Sequence, residues 1–139
     1  MKAKTPYRQV IRRIVDAPGV NDILIFLARN RGLLPLAFAS RLKARVRIRK
    51  ETVSASLPNG AVVKLWNNPS STDITTKIYW DGFASYENGT PLFFFERCRK
   101  AHRVLDVGAN IGYYSILALL ANPESELVAF EPVLRSMIA

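Results

Sequence analysis

An α/β fold is predicted: a helical and β-hairpin region leading into the first part of a doubly wound parallel sheet. Three observations predict it. Apolar residues near the N-terminus recur at helical spacing, with Tyr7, Val10, Ile11, Ile14 and Val15 on one face. Pro58-Asn59-Gly60 separates two strand-like runs, Thr52–Leu57 and Ala61–Trp66, which is a strong hairpin signal. Two short apolar runs, Val104–Val107 and Leu127–Phe130, flank a glycine-bounded helical segment, and a right-handed crossover would make those strands parallel.

The elements follow in order. The first helix is expected to end at Pro18-Gly19, and Asn21 is expected to cap a second one running through Ala28 and stopped by Gly32. Pro35–Lys43 suits a third short helix. The period then changes, because Val46 and Ile48 alternate with Arg45, Arg47 and Arg49 as in a half-exposed strand. After the hairpin, 67–71 reads as a loop, Ile74–Trp80 fits helix or strand, and Asp81-Gly82 turns the chain. Thr90-Pro91 resembles a cap with proline at the first helical position, opening a helix to about Lys100. Tyr113–Ala121 is a further helix, stopped by Asn122-Pro123. This divides the chain into a basic helical and hairpin region over 1–100 and a strand–helix–strand unit over 101–139.

Composition narrows the function classes. The 139 residues are 49% hydrophobic and 22% charged, enough to bury a core without staples. One cysteine, Cys98, rules out an internal disulfide framework, and with the single histidine, His102, it rules out a multi-cysteine or His-rich metal site. These counts suit a reducing, cytoplasmic setting. The formal charge is +9, and it is lopsided: residues 1–50 hold 13 Lys and Arg against Asp16 and Asp22. No signal-peptide pattern is visible, and the apolar stretch Ile23–Leu27 is far short of the ~20 residues a membrane helix needs.

The chemistry concentrates in Asp106-Val107-Gly108-Ala109-Asn110-Ile111-Gly112. Glycine lets the backbone turn sharply and approach a ligand, while the following helix offers its N-terminal amides. Glu131, at the end of the next strand, is placed to accept hydrogen bonds from both hydroxyls of a ribose. The dinucleotide fingerprint G-x-G-x-x-G is not met, since Asn110 and Tyr113 stand where its second and third glycines belong. No Gly-Lys-Ser/Thr follows either, which excludes a P-loop. A compact ligand with a carboxylate and a ribose, such as S-adenosylmethionine, suits the pattern better.

The block Val104-Leu105-Asp106-Val107-Gly108-Ala109-Asn110-Ile111-Gly112-Tyr113-Tyr114-Ser115, followed by Val128-Ala129-Phe130-Glu131-Pro132, closely resembles the FkbM family of S-adenosylmethionine-dependent methyltransferases. Tyr79-Trp80-Asp81-Gly82-Phe83 and Tyr86-Glu87 also look like the segment that family carries before its core, so the resemblance covers roughly Ile74 onward. It implies a partial Rossmann-like sheet of the class I methyltransferase kind, truncated after the second core strand. It implies a cofactor site at Asp106, Gly108, Ala109, Asn110, Gly112 and Glu131, with Asp106 near the methionine amine and Glu131 on the ribose. The implied reaction is O-methylation of a small-molecule or sugar hydroxyl, with no metal and with the catalytic residue unassigned.

Other readings compete. A non-catalytic fragment, or a basic module binding nucleic acid or anionic membrane, is the alternative, though no nucleic-acid motif accompanies the arginines. His102 precedes its strand, so it sits on the wrong side of the sheet for a base and reads as a surface residue. Glu87 is either a ligand for the methionine end of the cofactor or a solvated loop acid. Phe93, Phe94 and Phe95 read as core, and Tyr113 and Tyr114 as packing between helix and sheet. The open edge of the Val104–Val107 strand and a bare sheet face predict self-association.

Overall fold

The computed structural model describes residues 13–15, 17–30, 32–43, 46, 48–67 and 72–133. The chain divides into two units, residues 1–49 and residues 50–139. The boundary read from the sequence at residue 100 therefore falls inside the second unit.

In the first unit, helix α1 (Pro18–Arg29) packs against α2 (Leu36–Lys43). Pro18 opens α1, because its preset φ and missing N–H suit a first helical turn, and the chain is out of helical backbone at Ala17 just before it (φ −64°, ψ 132°). Asn21 is consequently inside α1 and fully buried, its N–H donating to the Ala17 carbonyl at 2.9 Å, and the N-cap position of α1 is Ala17 instead. The end of α1 is closed by Asn30, whose side-chain amide donates to the Phe26 carbonyl at 2.8 Å. Of the helix expected over Tyr7–Val15, only 13–15 is described, and it is helical. The strand expected around Val46 and Ile48 does not form: Val46 is a bend and 48–50 has no regular structure. Alternation alone does not make a strand: the Val46 N–H donates to the Leu42 carbonyl at 3.1 Å, a local bond four residues back.

The second unit starts with the hairpin of β1 (Thr52–Ser56) and β2 (Val62–Trp66), paired antiparallel with Thr52 opposite Trp66 and Ser56 opposite Val62. Its turn closes through Leu57 N–H to the Ala61 carbonyl at 2.8 Å. Val53, Val63 and Leu65 point to the buried face, as period-2 alternation requires. Helix α3 (Thr72–Asp81) settles the ambiguous segment: Ile74 and Ile78 lie one turn apart, both buried, and α3 packs on β1. Of the 67–71 loop, 68–71 lies outside the described residues.

A single 3₁₀ turn (Phe83–Ser85) leads to α4 (Thr90–Cys98), which Gly89 rather than Thr90 caps. Pro91, Phe95 and Cys98 form its buried stripe, packed on α5 (Tyr113–Ala121). Phe95 is core, Phe94 is half-buried and Phe93 is exposed. Successive helical residues are about 100° apart, so three in a row cannot share the inward face.

Strands β3 (Arg103–Val107) and β4 (Glu126–Phe130) are joined by α5 and pair in parallel, with Leu105 opposite Val128 and Val107 opposite Phe130. The fold of this unit is mixed α/β with one parallel strand pair. Helix α5 covers the face carrying Val104, Asp106 and Leu127, which are half-buried. The opposite face, with Leu105, Val107, Val128 and Phe130, is exposed, so these apolar strands are not buried on both sides. Arg103 and Glu126 close one end of that face with an ion pair at 2.7 Å.

Candidate functional site

The six site residues proposed from the sequence come together around one turn. Asp106 is the penultimate residue of β3, on the half-buried face, and its Oδ2 accepts a 2.6 Å hydrogen bond from the Ser115 hydroxyl. Gly108 and Ala109 both donate their N–H to the Phe130 carbonyl, at 2.8 and 3.0 Å, which anchors the turn to the end of β4. Gly108 (φ +84°) and Gly112 (φ +77°) adopt left-handed backbone that disfavours any side chain, and a Cβ built on either meets no atom within 4 Å. Both therefore expose backbone to open space. Asn110 is also left-handed (φ 51°), a conformation asparagine tolerates better than most residues.

Glu131 links the two ends of the site. Its Oε2 accepts the Asn110 N–H at 2.6 Å and its Oε1 accepts the Val133 N–H at 2.7 Å. A carboxylate has about four acceptor positions, so these two bonds orient the group while leaving each oxygen able to accept another donor. At the other side of the turn Gly112 caps α5, with its N–H on the Ala109 carbonyl at 2.7 Å. The first-turn amides of α5 have no acceptor within their own helix, so this end carries partial positive charge.

A tyrosine cluster adjoins the start of α5. Tyr113 is buried, its hydroxyl donating to the Phe83 carbonyl and its ring edge-on to Tyr86 at 6.1 Å. Tyr114 donates to Glu87 Oε2 at 2.6 Å and meets Phe94 edge-on at 5.1 Å. Glu87 is thereby tied to the first turn of α5 while remaining exposed to solvent. It stands in a left-handed run with Asn88 and Gly89 (φ 53°, 44° and 91°), at a conformational cost on the order of 1 kcal/mol for each non-glycine residue. Burial pushes the Tyr113 hydroxyl strongly up. Burial, then the hydrogen bond and charge of Glu87, do the same to Tyr114. Neither is a base near neutral pH.

Two features escaped sequence reasoning. Ser115 holds Asp106; a hydroxyl in the first helical turn after a strand-end acid is the signal that could have found it. The Tyr114–Glu87 bond spans 27 residues and left no local signal. His102 is exposed at the foot of β3, where its carbonyl accepts the Glu126 N–H at 2.9 Å. Among the described residues no group of three or more His, Cys, Asp or Glu side chains is placed to hold a metal, and no helix is long and apolar enough to cross a membrane. Compared with protein-family models, curated proteins and solved structures, the chain matches none.

Proposed function

We propose that the β3–α5–β4 unit binds S-adenosylmethionine, and that the chain serves methyl transfer to a hydroxyl oxygen of a small molecule or sugar. Glu131 carries the reading: a carboxylate fixed by two backbone amides, with acceptor capacity to spare, beside a glycine turn open to solvent. The residues fit that cofactor. Glu131 accepts the ribose hydroxyls, the backbone of Gly108–Gly112 passes beside the ligand, and the Asp106 oxygen not used by Ser115 pairs with the ligand's ammonium. When bound, the cofactor supplies a methyl group already activated on a sulfonium, so the protein's task is largely alignment. The likeness of Asp106–Ser115 and Phe130-Glu131-Pro132 to the FkbM pattern supports the same reading.

Calorimetry with S-adenosylhomocysteine tests it. Glu131→Ala removes charge-assisted bonds worth roughly 1.5–3 kcal/mol, about tenfold or more in affinity. Gly108→Val fills the open space over the turn and forces a side chain into left-handed backbone, and it is expected to weaken binding at least as much. No binding by the unsubstituted chain, or binding undiminished in both variants, refutes the proposal.

A further inference from the structure

We infer that the first unit is a docking surface for anionic lipid bilayers, with the apolar side chains of α1 and α2 entering the headgroup region. Ile23 and Phe26 are one turn apart on α1, so they share a face, and both are more than half exposed. The side of α1 that carries Asn21 and Ala28 is buried instead. Leu33 follows in the connection, then Leu36 (77% exposed) and Phe38 on α2, all again more than half exposed. Single exposed apolar residues are ordinary; large ones repeated over two short helices are not.

Charge selects the occupant. Residues 1–50 carry 13 Lys and Arg against two acids, and α1 and α2 both end on basic residues, Arg29 and then Arg41 with Lys43. A surface of anionic headgroups over acyl chains satisfies both features, since basic side chains meet the phosphates while apolar ones sink below them. Nucleic acid answers only the charge and gives Ile23, Phe26 and Leu36 nothing to be buried against. With 12 residues, α1 spans about 18 Å of a hydrocarbon core roughly 30 Å thick. It lies in the interface and does not cross.

The test uses the full chain and vesicles of phosphatidylcholine, with or without a minority of phosphatidylserine. The chain is expected to sediment with the phosphatidylserine vesicles and to release as salt rises. In Phe26→Trp, the new indole is expected to be quenched by lipids brominated in their acyl chains, beyond any quenching of the unsubstituted chain. Ile23→Ser with Phe26→Ser, which leaves charge and helix content by circular dichroism unchanged, is expected to weaken binding at least about tenfold, the ratio set by losing one large buried side chain. Absence of vesicle binding, equal binding to neutral vesicles, an unquenched indole or undiminished binding by the serine pair overturns the inference. So does binding to duplex DNA alone.

Discussion

Replacing Val107 and Val128 by lysine tests whether the bare face of the β3–β4 pair drives the chain to associate with itself. The four apolar side chains there are substantially exposed: Leu105 64%, Val107 73%, Val128 51% and Phe130 56%. Full burial of such a side chain is worth roughly 1.5–3 kcal/mol, so covering what is exposed on all four yields about 4–7 kcal/mol. A pair covers two such faces, about 8–14 kcal/mol, against an association cost of about 4–15 kcal/mol; at the lower end of both, the net of about 4 kcal/mol is a self-association in the millimolar range. The two lysines remove about half of the gain on each face, about 2–4 kcal/mol per protomer, and so weaken association roughly thirtyfold or more. Both positions face away from α5, and charge on an exposed strand is a usual guard against edge pairing, so the melting temperature is expected to stay put. Sedimentation equilibrium over a concentration series reads the effect. A parent chain that stays monomeric up to about millimolar concentration, or a variant that associates as strongly, refutes the reasoning.

Two further outcomes follow from the packing of the second unit. Tyr113 and Tyr114 have hydroxyls raised above their ordinary value of 10.0 by burial, so the folded state keeps protons that the unfolded state loses. Stability is then complete below about pH 10 and falls as pH rises above it; thermal melts are expected to show that decline, flattened in Tyr113→Phe with Tyr114→Phe. Asn59 reaches from the hairpin turn to the Leu120 carbonyl at 2.8 Å and accepts the Ala61 N–H at 3.1 Å. Asn59→Ala is expected to cost about 1 kcal/mol in denaturant unfolding, with an unchanged slope.

What the sequence made legible was decided locally. The hairpin follows from three turn residues and two alternating runs, and the β3–α5–β4 unit follows from short apolar segments, glycines and Asn122-Pro123. Misreadings arose where a residue type has two local uses. Pro18 both breaks helical backbone in the residue before it and suits a first turn, and the second use starts α1 earlier than Asn21 would. Asn21 is a good cap by type, yet its place in α1 follows from where that helix begins. The arginine-alternating stretch near Val46 has the strand period, but pairing partners are a property of the whole fold. In the site, the turn glycines and Glu131 are visible in sequence because their spacing carries the geometry. The Ser115–Asp106 bond and the docking of Glu87 on Tyr114 depend on how α5 lies against its neighbours, which no short window contains.

The Asn110–Glu131 bond joins residues only 21 positions apart, whereas the Asn59–Leu120 bond joins residues 61 apart. Closing a loop costs entropy that grows slowly with its length, and contacts of short separation form early. The turn, its glycines and its carboxylate thus belong to one contiguous stretch of chain that assembles as soon as β3 finds β4. The hairpin can join afterwards, adding stability through Asn59 without shaping the turn. The site is therefore inherited as a unit: a rearrangement of the chain that leaves residues 103–133 intact carries the Glu131 clamp with it.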